Sequence, residues 1–496
     1  MKLNRRIITI IAVVALIGLA VTVALGVWLF QNYQIVWGWL QSSNDPSKII
    51  QCSDSSACKI AHPITYGLIF IVIYLTGFAY TTLLERKVLA FLQQRVGPNR
   101  VGPGGFLQPA ADAVKLIFKE DVIPDQVDKP VFYLAPMLKV IPALIVVAVI
   151  PLGPDILFPW FDGNWYQIAL GFSDVNVGVL WILGITSLGT YGVVLAGWSS
   201  NNKYAMLGGL RATAQMISYE LSMGLTIAVP VMIAGSMSIG KIINMQTNPW
   251  DWLIFQNPLA GAILILALFA EVSRAPFDLV EAEQELTAGF MTEYSGMKFA
   301  MFMMAEYLGM IAVSMIAVSL FFGGYHFFFV NELPLLGPLV MIGKIVIFLA
   351  FFIWARGTLP RVRYDRLMSL GWKVLLPLSL VSVAWTAFAV VLRQTSLTLY
   401  IGVSALFFVV VLVGGWYFLS AENDDDVEEE YDMANDPLIT GERSGWVWIG
   451  LNLLGGLIAI PFAMVNGLIN GLESFGAATE TPSDETAIVP SDPGGD

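Results

Sequence analysis

An all-α polytopic membrane protein is the fold class that the sequence predicts, and three observations support it. Hydrophobic residues make up 56% of the chain and charged residues 13%, whereas about a quarter of a soluble domain is charged. The mean hydropathy is +0.71. Apolar runs long enough to cross a bilayer as a helix recur along the 496 residues. The short alternating segments of a membrane β-barrel are absent from the sequence.

Ten apolar segments are predicted to span the membrane. The first, Ile7–Phe30, follows the basic residues Met1–Arg6 and is interpreted as a retained span, because the run is long and no clean small-residue cleavage site follows it. Ser444–Leu472, interrupted by Pro461, is either an eleventh span, which we favour, or an interfacial helix. The other nine predicted spans are 64–84, 131–151, 177–198, 211–235, 259–275, 297–322, 337–356, 373–393 and 397–419.

Basic residues are distributed unequally between alternate loops, which predicts the orientation in the membrane. One set of loops holds only Lys48, Lys59, Lys241 and Arg393. The other set follows the basic N-terminus and holds Arg86, Lys87, Arg95, Arg100, Lys115, Lys119, Lys129, Lys203, Arg274, Arg361, Arg363 and Arg366. Because basic loops are retained in the cytoplasm, the N-terminus and this second set are predicted to be cytoplasmic.

The chain is predicted to carry additions at both ends of a central membrane unit, 64–396. Its segments are an added span with an outer loop at 1–63, a further span at 397–420, an acidic cytoplasmic linker at 421–443, the candidate span 444–472 and a disordered tail at 473–496. The outer loop holds Cys52 and Cys58, either as a disulfide, which the outer location favours, or as two free thiols.

The composition restricts the chemistry of this chain by itself. Two cysteines and two histidines are too few for the thiolates of an iron–sulfur cluster and poorly placed for a haem. No metal site is predicted. The sequence also has no Gly-rich fingerprint or P-loop for a nucleotide. Any electron transfer is therefore expected to use cofactors on a partner.

Carboxylates are concentrated between two apolar spans, from Ala270 to Tyr307. A group of carboxylates next to the bilayer is costly unless its members reach water, pair or hold protons. The stretch is therefore either a solvated loop or a proton path, and Asp278 with Glu281 also matches a helix-capping box. Its acidic residues are Glu271, Asp278, Glu281, Glu283, Glu285, Glu293 and Glu306.

Ionisable residues also lie inside other predicted spans. Glu220 follows Arg211 by nine residues, which places it about 13 Å along the helix. An acid at such a depth is a functional candidate, with Tyr219 beside it. The alternative is a structural carboxylate paired with a lysine of a neighbouring span, for which Lys344 and Lys139 are the candidates.

Two cytoplasmic segments have both a simple and a functional interpretation. Glu85–Asp121 extends a span, breaks at two Val-Gly-Pro triplets and continues as an amphipathic helix at Ala110–Phe118. This helix either rests in the headgroup interface or forms the entrance for a lipid-soluble molecule. Arg356–Lys373 is a basic loop that either reflects topology alone or contacts the acidic loop or a peripheral subunit.

Four segments together resemble one family over about residues 64–393, the membrane-embedded H subunit of the proton-pumping NADH:quinone oxidoreductase (respiratory complex I), which is homologous to mitochondrial NADH dehydrogenase subunit 1. Family order and spacing are both kept, so the resemblance is specific. The segments are ERKVLAFLQQRVGPNRVGP, AGWSSNNKY with RATAQMISYE, RAPFDLVEAEQEL with EYSGMKFAMFMMAEY, and LPRVRYDRLMSLGWK.

The resemblance implies an eight-helix core in a bacterial inner membrane that encloses most of a quinone tunnel. It implies other complex I subunits, lipid and quinone as partners, with iron–sulfur clusters and FMN on those subunits. It places Arg86, Arg95, Arg274 and Tyr219 on the quinone side. The proton path that it implies contains Glu220, Glu271, Glu281, Glu283, Glu285, Glu293 and Glu306.

One departure from the family pattern is Val280, which replaces a proline common in the family and spares the acids. Two other functions stay open on the sequence. One is the equivalent subunit of an energy-converting hydrogenase or another donor-fed complex, and the other is a purely structural membrane anchor. Quinone-site inhibitors and neutral replacements of the glutamates discriminate between these hypotheses.

Overall fold

The computed structural model describes residues 49–54, 56–159, 165–172, 174–278, 286–327, 330, 334–395 and 397–422, and these residues confirm an all-α membrane fold. The helices are α1 (Ser56–Leu92), α2 (Gln108–Ile117), α3 (Lys129–Ile145), α4 (Gly178–Ser199), α5 (Lys203–Ala234), α6 (Ile239–Asn244), α7 (Leu253–Gln256), α8 (Pro258–Glu271), α9 (Gly296–Phe321), α10 (Gly337–Thr358), α11 (Tyr364–Ser369), α12 (Leu376–Thr395) and α13 (Leu397–Glu422).

Seven helical stretches of the described chain are long and apolar enough to cross a membrane. The shorter apolar helix α8 coincides with another predicted span, 259–275, and α13 contains the predicted span 397–419. Predicted span ends fall short of several observed ends, because helices continue into the polar region where water also satisfies backbone groups. Ile7–Phe30, Ser444–Leu472, the linker from residue 423 and the tail lie outside the described residues.

A small sheet, which the sequence patterns did not predict, lies between the spans. Its strands are β1 (Ile49–Gln51), β2 (Ile156–Pro159) and β3 (Trp165–Ile168), in the order β1-β3-β2. The β1 strand runs parallel to β3, and β2 runs antiparallel to it. A disulfide joins Cys52 to Cys58 at the start of α1. The segment before α1 is thus attached to a hairpin more than a hundred residues later.

Helix α5 is central to the bundle and packs against α4, α8 and α12. Its small residues allow close approach: a Cβ added to Gly208 would lie 2.5 Å from Cα of Gly289 in the acidic segment. Gly209 similarly faces Gly197 of α4. Lipid is as apolar as the helices, so hydrophobic burial does not drive helices together in a membrane. Small residues let the backbones approach closely and so strengthen the packing contacts that do. This packing brings the acidic segment onto α5.

Candidate functional site

Charged side chains from four parts of the chain meet beside α1, and all but Arg356, which is 30% exposed, are largely buried. Arg274 Nε lies 2.5 Å from Glu306 Oε1, and Arg274 Nη1 lies 3.6 Å from Glu85 Oε1. Arg356 forms a further ion pair with Glu85. The side chains of Glu85 and Arg274 are 7% and 6% exposed, so water contributes little to the solvation of these charges. The guanidinium of Arg274 also lies 4.5 Å from the centre of the Tyr307 ring.

The segment after α8 is held in an irregular conformation that presents Arg274. Ser273 has a φ of 55°, and the peptide bond between Ala275 and Pro276 is cis. The fully buried Gln215 of α5 donates hydrogen bonds to the carbonyls of Ala270 at 2.8 Å and Phe277 at 2.9 Å. Gln215 thus adds a side-chain donor to the Ala270 carbonyl, which also accepts from the backbone N–H of Ser273 at 3.2 Å, and joins it to the turn at Phe277.

A cavity of about 60 Å³ lies next to this cluster. Its polar lining includes Lys139 of α3, Glu271 at the end of α8 and Glu306 of α9. Its apolar lining includes Met216 and Phe302. A cavity of this size has room for a few water molecules, which polar side chains at its wall would hold. The two glutamates predicted at opposite ends of the acidic stretch therefore line one space.

Glu220 continues the series of acids on α5. Its Oε1 accepts a 2.5 Å hydrogen bond from Ser187 Oγ of α4, and it interacts electrostatically with Glu271. Ser187 Oγ also lies 2.7 Å from the carbonyl oxygen of Leu183. A hydroxyl has one proton to donate. The Ser187 hydroxyl therefore donates either to the Glu220 carboxylate or to the Leu183 carbonyl, but not to both at once.

Other predicted acids have separate surroundings. Glu293 accepts a 2.6 Å hydrogen bond from Asn202 before α5. The nearby loop residue Tyr294 stacks on Phe132 with ring centres 4.0 Å apart. Burial raises the pKa of Tyr294 to about 12, so its hydroxyl stays protonated near Ser199. Glu281, Glu283 and Glu285 lie outside the described residues, as does Val280.

The predicted quinone-side cations occupy different environments. Arg86 forms an exposed 2.8 Å ion pair with Asp112 of α2. Arg95 donates a 2.6 Å hydrogen bond to Gln93 at the end of α1. Arg274, by contrast, is buried in the charge cluster. The structure therefore separates two surface cations from one internal cation.

Tyr219, predicted beside Glu220, lies on the packed side of α5 and has no exposed surface. Its hydroxyl donates a 2.9 Å hydrogen bond to the carbonyl of Leu367 in α11. Its ring packs near Phe277, with centres 6.1 Å apart. In the described chain this tyrosine therefore links three parts of the protein.

The pairing of Lys344 with a carboxylate such as Glu220 is not what the structure shows. Lys344 Nζ donates hydrogen bonds of 2.6, 2.9 and 2.8 Å to the carbonyls of Phe322, Gly324 and His326. Phe322 is the C-cap of α9, and Gly324 and His326 lie in the turn that follows it, so the ammonium supplies donors to the end of the helix and to the turn. Lys344 therefore caps α9. Lys139, the second candidate, lies instead at the cavity with Glu271 and Glu306.

Sequence reasoning did not select Glu85, Arg356, Gln215 or Ser187 as site residues. Glu85 and Arg356 were each assigned to cytoplasmic segments, although each falls at the end of an apolar run. Opposite charges at the cytoplasmic ends of two predicted spans could have indicated that Glu85 and Arg356 form a pair. Nothing in the local pattern marks Gln215 or Ser187, because their role depends on which helix faces them.

The fold and the site define a polytopic membrane protein whose long helices enclose linked carboxylates and cations. Residues 65–387 match the family model described as NADH dehydrogenase. The chain therefore belongs to the NADH dehydrogenase family, within the group formed by the H subunits of complex I.

Individual relatives agree with this assignment. The first of the NADH-quinone oxidoreductase H subunits of Geobacter metallireducens is 49% identical over 334 residues, which are 67% of this chain and 97% of the relative. The H subunit of Protochlamydia amoebophila is 49% identical over 314 residues, which are 63% of this chain and 93% of the relative. NADH-quinone oxidoreductase subunit 8 of Rhodothermus marinus is 46% identical over 324 residues, which are 62% of this chain and 91% of the relative.

Proposed function

We propose that this chain forms much of the quinone-binding tunnel of a proton-pumping NADH-quinone oxidoreductase and couples quinone reduction to proton translocation. The observation that carries the proposal is the linked series of Arg356, Glu85, Arg274, Glu306 and Glu271, with a cavity at its inner end. Buried charges cost several kcal/mol each unless they are paired. A series of them inside a membrane bundle is therefore expected where charge or protons move.

The entrance for quinone is assigned to the surface around α1 and α2. Helix α2 has no buried residue and presents Val114, Ile117 and Phe118, which are 53%, 60% and 84% exposed. Phe106 is exposed just before it, under the ammonium of Lys87 at 5.2 Å from the ring centre. Apolar side chains beside cations suit a ligand with an isoprenoid tail and a polar headgroup.

Coupling follows from the position of Arg274. Reduction of quinone on the neighbouring subunit takes up protons and changes the charge close to the segment after α8. A change there alters how strongly Arg274 holds Glu306 and Glu85. Glu306 and Glu271 line the same cavity, and Glu271 interacts with Glu220. A changed protonation state thus passes from the cluster towards α5, from which other membrane subunits take it on.

The proposal includes the surroundings of the chain. The protein lies in a bacterial inner membrane with its N-terminus in the cytoplasm. The iron–sulfur clusters belong to partner subunits, since both cysteines of this chain form one disulfide and leave no thiolate as a ligand. FMN is assigned to a partner as well, because the sequence has no familiar nucleotide-binding motif. Quinone is the substrate rather than a resident cofactor. The chain has no complete activity alone.

Neutral replacement of the two best-placed acids tests the proton path. In membranes containing the intact complex, Glu220→Gln and Glu271→Gln should each lower NADH-driven proton translocation at least about tenfold, because the amide cannot take up and release the proton. Glu120→Gln, at an exposed acid on the loop before α3, is the matched control and should leave pumping unchanged. Translocation is measured by the quenching of a pH-sensitive dye.

Two results would contradict the proposal. Full pumping by both glutamine variants would leave a structural membrane anchor as the function. Electron transfer in wild-type membranes that is insensitive to quinone-site inhibitors would instead point to a complex that does not use quinone.

A further inference from the structure

Lys139 lies on α3 where the neighbouring helix α4 is narrow. A Cβ added to Gly192 would lie 2.8 Å from the backbone nitrogen of Lys139 and 3.0 Å from its Cβ. A Cβ added to Gly189 would lie 4.0 Å from Lys139 Nζ. These two glycines therefore leave a path for the lysine stem between the helices. The long stem carries the ammonium away from the backbone and into the bundle.

The ammonium of Lys139 reaches the cavity rather than a direct ion-pair partner. Among the described residues, its one hydrogen-bond contact is the sulfur of Met216 at 3.9 Å, which is a weak acceptor. An ammonium has three donors, and their desolvation is costly without acceptors. The cavity of about 60 Å³ offers the remaining acceptors as water.

Two acids share the cavity with this lysine and differ in their pairing. Glu306 is held by Arg274 at 2.5 Å. Glu271 Oε2 is buried and has no hydrogen-bond partner among the described residues. Glu220 lies near enough to Glu271 for the two carboxylates to repel each other when both are ionised. The charged groups around the cavity thus come from α3, α5, α8, α9 and the segment that carries Arg274.

We propose that Lys139 carries protons across this cavity from Glu306 to Glu271, rather than serving as a fixed structural counter-charge. The proposal rests on the proposed function, since it adds a basic member to a path of acids. In one step the Lys139 ammonium loses a proton, through water, to the Glu271 carboxylate, which leaves a neutral amine and a carboxylic acid. Glu306 supplies the next proton after it has been protonated from the charge cluster: its carboxylic acid gives the proton to the amine and returns to the carboxylate paired with Arg274. One proton has then moved from Glu306 to Glu271, and the ammonium is restored.

A pair of substitutions separates a proton carrier from a counter-charge. Lys139→Arg keeps the positive charge, but a guanidinium does not release its proton in a protein. Lys139→Met keeps the length and removes the charge. If Lys139 carries protons, both variants should lose NADH-driven pumping at least about tenfold. Pumping restored by arginine but not by methionine would overturn the proposal, as would pumping retained by methionine.

Two controls allow a loss of pumping in the Lys139 variants to be interpreted. Lys241→Met changes an exposed lysine on α6 and should leave pumping at the wild-type level. The amount of assembled complex is measured on native gels, and rates are expressed per assembled complex. If Lys139→Arg does not assemble, Lys139→His takes its place and is assayed at pH 8, where an imidazole carries little positive charge but still takes up and releases protons. Pumping by Lys139→His well above that of Lys139→Met supports a proton carrier, and equal loss of pumping in the two variants overturns the proposal.

The test also distinguishes failure of this inference from failure of the proposed function. Normal pumping by Glu271→Gln alone would remove the proton acceptor that this inference needs, and normal pumping by both Glu271→Gln and Glu220→Gln would remove the acid path altogether. Loss of pumping in Glu271→Gln together with normal pumping in Lys139→Arg would keep the path and remove the lysine from it.

Discussion

Arg274 is the residue on which the buried charges depend. It contacts two carboxylates from different helices, Glu306 of α9 and Glu85 of α1. Glu85 has a second cation in Arg356, whereas Glu306 lines the cavity that Lys139 also lines. Neutralising the arginine therefore removes the ion pair of Glu306 with Arg274 and leaves Glu85 its ion pair with Arg356.

Arg274→Gln is expected to destabilise the protein by about 3–5 kcal/mol, because removing one partner of a buried pair leaves the other charge desolvated. The double variant Arg274→Gln with Glu306→Gln should recover part of this loss, since the remaining charge is then removed as well. Thermal unfolding of the purified complex measures both. A double variant no more stable than the single one would contradict this interpretation of the pair.

The residue scale also shows the limits of spacing in a sequence. Lys344 and Lys139 have the same signature, a lysine within an apolar run. One caps three backbone carbonyls and the other reaches a cavity lined by acids. A lysine ammonium accepts either environment, because its three donors suit carbonyls, carboxylates or water. The neighbouring helices therefore determine the role of each lysine.

At the scale of elements, α5 places the acids because its backbone approaches its neighbours closely. Gly208 faces Gly289, at the turn that leads from the acidic segment towards α9. Gly224 is on the same helix, but a Cβ there would meet only Leu183, at 3.9 Å. The two glycines thus differ in environment while sharing the same helix.

Gly208→Ala is expected to destabilise the protein by about 1–3 kcal/mol, because the added methyl overpacks a contact between two backbones. Gly224→Ala is the matched control and should be neutral or stabilising by up to about 1 kcal/mol, since alanine favours the helix and has room. Detergent-solubilised complexes carrying each substitution are compared by thermal unfolding. Equal losses at both positions would show that the close approach of Gly208 has no special weight.

Much at this scale was predictable from the sequence. The predicted amphipathic helix 110–118 is confirmed as Gln108–Ile117, because a periodic apolar stripe is a local property. The β1–β3 pairing was not predicted, since a three-residue strand has no recognisable alternation. Its hydrogen bonds come from a distant hairpin, which is decided only when the helices bring the loops together.

At the scale of the molecule, α13 lies beyond the residues that match the family model. It packs against α7, α8 and α12. The rings of Trp385 on α12 and Phe407 on α13 stack with centres 4.1 Å apart. Tyr400 and Ser404 of α13 are buried in the same interface. This helix is therefore an integrated addition to the family bundle.

Truncation after Thr395 should leave a protein that assembles and supports NADH–quinone activity, because the match to the family model ends at residue 387. The unfolding temperature of the complex should fall, since one aromatic pair alone contributes about 0.5–1.5 kcal/mol. Truncation after Glu422 keeps α13 and is the matched control, with an unchanged unfolding temperature. Equal unfolding temperatures for the two truncations would show that α13 does not stabilise the bundle.

The sequence by itself determined the fold class, most of the span positions and the family. These properties follow from composition and from runs of apolar residues, because a segment in lipid must satisfy its own backbone and does so as a helix. The tertiary structure decided which charges meet. Glu85 and Arg356 pair across 271 residues, and Lys139 shares a cavity with Glu271 and Glu306. Such meetings depend on how helices pack, and no local period in the sequence records that geometry.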